Sequence, residues 1–268
     1  MNADTFSYLF DGAHWSLGDP AGFPNRILEH LGYTALALVV ALVLAFPAGL
    51  LIGHWGRGSF AVISLGNAGR ALPTLGVVML ALSLVGIGLL PVTIALVILA
   101  VPPILTSTFA GVRAVSAEVV DAARGVGMSE RQVLLGVELP NALPIVMGGI
   151  RNATLQVIST ATIAAYVGLG GLGRFLFDGL ALRDYPRVVA GAIVLAVLAV
   201  LVDLLLGGVQ RLLVSPGVDG RAARRRVRGA VAGPVPAGGS ESPEAAEADT
   251  EPHPQQPVTV PPTERHHP

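Results

Sequence analysis

The sequence lacks cysteine and is poor in charged and aromatic residues. Its 268 residues include no cysteine, and only 13% are charged and 5% aromatic. The absence of cysteine excludes a disulfide framework and thiol chemistry. An average soluble domain has about a quarter of its residues charged. The low charge and a mean hydropathy of +0.66 therefore indicate an integral membrane protein.

Catalytic and metal-binding patterns are also missing from the sequence. Five of the six histidines lie in or beside the terminal segments, and His54 lies at an interface, so no metal-ligand spacing arises. The glycine-rich run "GLGGLG", residues 168–173, follows no predicted strand, which argues against a nucleotide site. We interpret it as a turn on the outer side that lets helices approach closely. We therefore expect a protein without catalytic residues.

Five apolar stretches are long enough to cross a bilayer as helices, which takes about 20 residues. They are residues 31–53, 59–89, 91–112, 141–167 and 188–213. Such long runs favour helices over the short, alternating strands of a barrel. Arg70 would be costly near a bilayer centre, so we expect residues 59–72 near one interface and a kink at Pro73. The predicted fold is an all-α polytopic transmembrane helical bundle with about five main spans.

The placement of arginine predicts the orientation and the domain boundaries. Arginines concentrate in the loop 113–141 and in the block 221–228, and we place both in the cytoplasm. Residues 1–30 then form an outer N-terminal segment, residues 31–215 the transmembrane domain, and the C-terminus lies inside. Residues 216–268 are rich in Pro, Glu, Ser and Gly and cannot bury a core, so we expect a disordered cytoplasmic tail.

A charged segment, "EVVDAARGVGMSERQVLLGVELPNALP", interrupts the apolar runs at residues 118–144. Its pattern predicts one helix over residues 116–126, ended by Gly127 in a left-handed conformation. Ser129 and Gln132 fit a capping box that starts a second helix, which Pro140 should limit. The residues alone allow a knob that docks into another protein or amphipathic helices that lie on the membrane.

The same segment resembles the cytoplasmic loop motif of bacterial ABC importer permeases. That motif reads Glu-Ala-Ala, three residues, glycine, nine residues, isoleucine, one residue, Leu-Pro. The corresponding residues here are Asp121, Ala122, Ala123, Gly127, Val137, Leu139 and Pro140. The spacing agrees throughout, and the departures are Asp for Glu and Val for Ile. The resemblance implies that these seven residues belong to a coupling helix that fits a groove on an ATPase subunit.

A second resemblance covers about residues 25–213. Residues 167–206, residues 139–168 and "RALPTLG" at 70–76 are similar to permeases for osmoprotectants such as glycine betaine, choline, carnitine or proline. The resemblance implies a type-I ABC importer permease fold in the cell membrane, with ATP-Mg and its hydrolysis on a separate ATPase and no cofactor in this chain. It also implies a second permease subunit and an extracytoplasmic solute-binding protein. A permease for methionine or another small solute stays open, as does a channel or scaffold outside the ABC class.

Four further residues are candidates for a gate or a solute pathway: Arg70, Pro73, Arg151 and Asp203. Asp203 lies in an apolar run, so we expect Arg151 or Arg70 as its partner, and a structural ion pair is the alternative role. We interpret Arg151 as an anchor that snorkels to the inner interface.

Two features of composition concern the solute. Pro102 and Pro103 prevent regular helix hydrogen bonding locally and are expected to make a kink that widens a central cavity. Aromatic residues are too few in the spans to build a cage for a quaternary ammonium ion. Selection of the solute is then expected to belong to a separate binding protein.

Overall fold

The long apolar runs of the sequence form long helices. The computed structural model describes residues 3–214, without the side chains of residues 3, 4 and 70, and it contains no strand in that range. The predicted disordered tail lies outside the described residues. The helices are α1 Ala3–Phe10, α2 Phe23–Trp55, α3 Ser59–Ala71, α4 Thr74–Val85, α5 Leu89–Arg113, α6 Ala117–Gly125, α7 Glu130–Val133, α8 Leu139–Thr160, α9 Gly173–Leu182 and α10 Tyr185–Leu213.

Short helical turns of other kinds join these elements. A 3₁₀ turn, Gly12–Trp15, follows α1, and a second, Ala161–Val167, extends α8. A π turn, Leu134–Glu138, connects α7 to α8, so the chain is helical without a break from Glu130 to Val167.

Four helical segments in the described range are long and apolar enough to cross a membrane, and a bent pair brings the number to five if it counts as one span. The pair consists of α3 and α4, which meet at an angle of 97°. The break falls at Leu72 and Pro73, both of which have extended backbone conformations. The all-α fold with about five spans and the interruption at Pro73 are therefore confirmed.

Two spans begin earlier than their hydropathy predicts. α2 starts at Phe23 rather than Leu31, and α10 starts at Tyr185 rather than at residue 188. Each has a proline in its first turn, where the missing N–H group is not needed. The Asp184 carboxylate also accepts a hydrogen bond of 3.2 Å from the Arg187 N–H group and so caps α10.

The core of the bundle lies where α2, α5 and α8 pack together. Ala37, Ala41 and Ala45 recur every four residues on one face of α2, and all three are buried in this core. Gly49 continues that face, and a Cβ atom at Gly49 would lie only 2.7 Å from Thr108 Cβ on α5. Small residues at these positions let the two helix backbones approach closely, as is common between membrane helices.

α5 runs through Pro102 and Pro103 as a single helix. The hydroxyl groups of Thr106 and Ser107 donate hydrogen bonds of 2.8 and 2.7 Å to the carbonyl oxygens of Pro102 and Pro103. Each proline removes the N–H donor for the carbonyl four residues earlier, so these hydroxyl bonds do not replace the lost ones. The chain stays helical through both prolines, and the expected kink stays a prediction.

Candidate functional site

The segment between α5 and α8 begins with α6, which ends at Gly125 and is followed by Gly127 in the predicted left-handed conformation. Gly127 has a φ of +87°, in the left-handed region. Its N–H group donates 2.9 Å to the Arg124 carbonyl, and the next N–H group, that of Met128, donates 3.2 Å to the Ala123 carbonyl. These two bonds form a Schellman motif, in which glycine is favoured because it has no Cβ atom.

The second half of the segment starts at α7 with the predicted capping box. The Ser129 N–H group donates 2.8 Å to Gln132 Oε1, and both contacts of the box are present. The prediction that Pro140 limits this helix is wrong. The π turn changes the backbone hydrogen-bond pattern, so that the Leu139 N–H group donates to the Leu134 carbonyl, five residues earlier in the chain. This wider turn precedes the proline and lets the helix continue into α8.

We call residues 117–140 the coupling element, and the motif residues divide it into an exposed and an anchored part. Asp121, Ala122, Gly127 and Pro140 are exposed, whereas Ala123 is buried and Val137 and Leu139 are half-buried. Leu139 packs against the hydrophobic cluster formed by the C-terminal parts of α2 and α5 and the N-terminal part of α8. The element is therefore fixed to the bundle on one side and open on the other.

The open side of the coupling element presents apolar side chains. Val126 is 80% exposed, Leu135 59% and Val119 47%. Met128, Arg131, Gln132, Leu135 and Gly136 also line a shallow, mostly apolar hollow on this side. Single exposed apolar residues are ordinary on protein surfaces, but a group of them beside a fixed turn is a feature of docking sites.

A partly buried polar cluster, which could not be predicted from the sequence, attaches the coupling element to α2. His54, in the last turn of α2, lies between Glu138 and Glu130, at 2.6 Å from Nδ1 and 3.0 Å from Nε2. Glu130 also accepts hydrogen bonds of 3.1 and 3.0 Å from Arg124. The hydrogen bonds with Glu130 raise the pKa of the Arg124 guanidinium, so this side chain stays charged.

A cavity of about 270 Å³ lies between α3, α5 and α8. Its lining includes five polar side chains: Thr74, Thr106, Ser107, Asn152 and Gln156. The two amides, Asn152 and Gln156, sit one turn apart on α8 and make no hydrogen bond within the described part of the chain. They are therefore available to water or to a polar solute in the cavity.

The wall of this cavity also contains Pro102 and Pro103, as the sequence predicts. Its lining includes no aromatic residue among those described. Pro73 lies between two lining residues, Leu72 and Thr74. Arg70 belongs to α3, but its side chain lies outside the described set.

Arg151 and Asp203 form an ion pair away from this cavity. Arg151 donates to the two carboxylate oxygens of Asp203 at 2.9 and 2.7 Å, and to Gln210 Oε1 at 3.3 Å. The expected partnership with Arg151 is confirmed, and the snorkelling of Arg151 to the inner interface stays a prediction. A carboxylate on the neighbouring helix is a good partner for a charge in an apolar run.

The glycine-rich turn approaches the N-terminal part of α2. The Gly171 N–H group donates 2.7 Å to Glu29 Oε2, which also accepts a bond of 2.9 Å from Arg26. A side chain at Gly170 would overlap this Glu29 carboxylate, so the close approach predicted for the turn is confirmed. Next to it, the buried His30 ring donates from Nε2 to the Ile158 carbonyl at 2.9 Å.

An aromatic cluster at the N-terminus of α2, which the sequence analysis missed, joins the N-terminal segment to the bundle. Phe23 and Phe175 stack with ring centroids 4.2 Å apart, and Tyr8 and His14 stack at 4.1 Å. Trp15 lies 5.0 Å from Phe23. Rings this close leave no space for a cation between them, so the cluster is a hydrophobic core and not a solute cage.

Comparison with known proteins places these features in a family. Residues 37–214 match the family described as "Binding-protein-dependent transport system inner membrane component". The chain is 34% identical over 192 residues to the glycine betaine/carnitine/choline transport system permease protein OpuCB of Bacillus subtilis (strain 168), covering 72% of this chain and 88% of that one. It is 37% identical over 180 residues to the osmoprotectant import permease protein OsmY of Salmonella typhimurium, covering 66% and 76%.

The fold is also similar to that of solved ABC transporter structures. A chain of the MetNI methionine ABC transporter in an inward-facing conformation superposes with a TM-score of 0.64 at 19% identity, covering 76% of this chain and 99% of that one. A chain of an amino acid ABC transporter with histidines gives a TM-score of 0.57 at 21% identity, covering 79% and 98%. At these identities the comparison supports the type-I permease fold alone.

Proposed function

We propose an import function for this chain, which belongs to the family of binding-protein-dependent transport system inner membrane components. It acts as the transmembrane permease subunit of an ABC importer for osmoprotectants such as glycine betaine, choline, carnitine or proline. The observation that carries this proposal is the complete coupling motif, held in a fixed shape on a chain whose relatives are osmoprotectant permeases.

The coupling element has the geometry that force transmission requires. Gly127 and the capping box fix both helix ends, and the continuous helix from Glu130 into α8 joins the element directly to a span. A groove on an ATPase subunit receives Val126 and its exposed apolar neighbours. Movement of that subunit then shifts α8 as a rigid body, because the helical hydrogen bonds leave no flexible joint between them.

The cavity beside α8 forms part of the solute pathway. Osmoprotectants carry carboxylate, hydroxyl or ammonium groups on small bodies, and the free amides of Asn152 and Gln156 can donate to or accept from such groups. No charged side chain lines the cavity among the described residues, so a solute is not held tightly. Weak contacts suit a pathway, whereas a separate extracytoplasmic binding protein selects the solute.

The chain performs no catalysis in this proposal. ATP-Mg is bound and hydrolysed on partner ATPase subunits, which meet the coupling element in the cytoplasm. The N-terminus and the glycine-rich turn then face outward and the C-terminus faces inward, as the arginine distribution indicates. A second permease subunit, identical or related, completes the path.

Copurification and uptake test the proposal together. A tagged chain, expressed with its ATPase and binding protein, should retain the ATPase through purification. Cells that lack other osmoprotectant systems should then accumulate labelled glycine betaine, and choline or carnitine should compete better than methionine. Competition by methionine alone would assign the permease to a different solute. Solute flux without a bound ATPase would indicate a channel and contradict the proposal.

A further inference from the structure

A small apolar cluster lies next to the cavity between α3, α5 and α8. Its buried members are Val78 and Ala81 on α4 and Ala95 on α5, and Ile163 packs against them. Ile163 belongs to the 3₁₀ turn that extends α8, so three helical elements meet in this cluster. We call these four residues the apolar seal.

The seal lies on the side of the cavity that faces away from the coupling element. The C-terminus of α5 leads into the coupling element, and the N-terminus of α8 leaves it. Leu99 of α5 lines the cavity, and Ala95 lies about one turn farther from the coupling element. Gln156 of α8 also lines it, and Ile163 lies about two turns farther. On α4 the seal likewise begins about one turn beyond the lining residue Thr74.

Ile163 lies in a long stretch of 3₁₀ helix. The turn Ala161–Val167 has seven residues, whereas runs longer than about three or four are uncommon. Residues three positions apart share one face of a 3₁₀ helix, and Ala161, Ala164 and Val167 accordingly pack in the core beside α2. Ile163 lies on another face, against the buried members of the seal. The conformation of the turn therefore determines the position of Ile163.

His30 of α2 holds the beginning of this turn. The last backbone bond of α8 runs from the Ala161 N–H group to the Val157 carbonyl. The next carbonyl, that of Ile158, lies 2.9 Å from His30 Nε2. A carbonyl can only accept, so Nε2–H donates to it and supplies the partner that the end of an α-helix lacks. In a continued α-helix, the Thr162 N–H group would donate to this same carbonyl.

Glu29, the residue before His30, holds the chain beyond the other end of the turn. Gly168 ends the turn with a φ of +87°. The Gly171 N–H group then donates a hydrogen bond of 2.7 Å to Glu29 Oε2. Two consecutive residues of α2 therefore fix both ends of the segment that carries Ile163, and they favour its 3₁₀ form over a longer α-helix.

We propose that the apolar seal is the gate of the solute pathway on the side away from the coupling element, with Ile163 as its moving side chain and His30 as the positioning residue that holds it closed. Apolar constrictions exclude water and polar solutes. Release of the His30 bond lets the seven residues of the turn become α-helical, which shortens it by about 3.5 Å and withdraws Ile163. This inference rests on the proposed function, because only a chain that moves solute needs such a gate.

Efflux from loaded vesicles tests the seal without ATP. The assembled importer is reconstituted into liposomes that contain labelled glycine betaine, and loss of the label is measured without nucleotide. Ile163→Ala shortens the side chain to a methyl group, and we expect efflux to rise about tenfold or more, because an apolar constriction gates by excluding water. Ile193→Ala, at a half-buried position on α10 outside the seal, is the matched control and should retain the solute.

Two variants at His30 test its positioning role in the same assay. His30→Phe fills the site without a donor, so its vesicles should lose glycine betaine faster than wild-type vesicles. His30→Gln keeps an N–H donor for the Ile158 carbonyl and should retain the solute. Equal efflux from the two variants would show that the hydrogen bond does not hold the gate.

A cross-link separates a gate from a fixed packing contact. The chain has no cysteine, so Val78→Cys combined with Ile163→Cys gives it two thiols, which an oxidant joins as a disulfide and a reductant separates. ATP-driven uptake by the oxidised double variant should fall to background and return on reduction, because a gate that cannot open stops every cycle. Both single-cysteine variants should be insensitive to the oxidant. Undiminished uptake by the cross-linked chain would overturn the gate, since a static core tolerates a cross-link.

The gate and the proposed function fail in different ways. Wild-type vesicles that retain glycine betaine but never accumulate it with ATP would contradict import of osmoprotectants. The efflux comparison still decides the gate in that case, because it uses no ATP. Ile163→Ala vesicles that retain the solute as well as wild-type vesicles would overturn the gate.

Discussion

The guanidinium of Arg151 forms two parallel hydrogen bonds, of 2.9 and 2.7 Å, with the carboxylate of Asp203. The two residues lie on α8 and α10, in otherwise apolar runs. Gln210 extends the contact, because its Oε1 accepts from Arg151 and its Nε2 donates a long hydrogen bond of 3.5 Å to the Pro144 carbonyl. The last span is thereby tied to the helix that continues from the coupling element.

Removing one partner of this pair should destabilise the bundle more than removing both. Arg151→Met or Asp203→Leu leaves a charge without its partner among apolar side chains, whereas the double variant leaves none. Thermal unfolding of the wild type, the two single variants and the double variant in detergent gives the interaction free energy between the two side chains. We expect the double variant to unfold above both single variants. Strictly additive losses would show that the pair does not act as a unit.

Alanine substitutions at two glycines of α2 should differ in their effect on stability, because only one of the two glycines packs against α5. Gly49→Ala places a methyl group 2.7 Å from Thr108, so the helices must separate or shift, at about 1–3 kcal/mol. Gly32→Ala meets nothing within 4 Å and should be neutral or stabilising by up to about 1 kcal/mol. Differential scanning of both variants in detergent checks the difference. Equal melting temperatures would mean that the close contact contributes nothing.

The local features of the coupling element could be predicted because neighbouring residues determine them. Gly127 ends a helix and Ser129 with Gln132 starts one through contacts within a few residues. Continuation through Pro140 could not be predicted in the same way. It depends on the π turn, whose register follows from packing of Leu134 and Leu139 against distant parts of the bundle.

Most of the features that could not be predicted from the sequence depend on contacts between residues far apart in the chain. The Arg151–Asp203 pair was predicted because an apolar run offers few partners for a carboxylate. His54 and Glu138 are separated by 84 positions, and each has ordinary polar neighbours in the chain. No periodicity marks the cluster of Tyr8, Phe23 and Phe175 either, since their positions follow from the way the N-terminal segment folds back on α10.

The two free amides of the cavity should matter for transport but not for assembly. Asn152→Leu and Gln156→Met keep a similar volume but remove the groups that a polar solute can bind. We expect slower uptake of glycine betaine at saturating binding protein, with unchanged copurification of the ATPase. Uptake at the wild-type rate in the double variant would place the pathway elsewhere.

The orientation of the chain can be tested with single cysteines on its cysteine-free background. Val126→Cys lies on the coupling element and should be shielded from an impermeant thiol reagent in intact cells. Leu182, at the end of α9, is also well exposed, at 70%. Leu182→Cys should therefore react with the reagent in intact cells. In a chain expressed without the ATPase, which would cover Val126, both should react after the membrane is permeabilised. The opposite pattern in intact cells would place the coupling element outside and remove its role.

The most direct measurement is ATP-driven uptake of labelled glycine betaine by proteoliposomes that contain Gly127→Val or Gly168→Val. Both glycines have a φ of +87° and no atom within 4 Å of an added Cβ, so each substitution imposes the same backbone strain of about 1 kcal/mol or more. In the proposed function, Gly127 sets the angle between the helices that meet the ATPase, whereas Gly168 follows the other end of α8. The account predicts ATP-dependent accumulation for the wild-type chain, retained uptake for Gly168→Val, and uptake near background for Gly127→Val at normal membrane levels. Wild-type uptake by Gly127→Val, or accumulation without ATP, would contradict it.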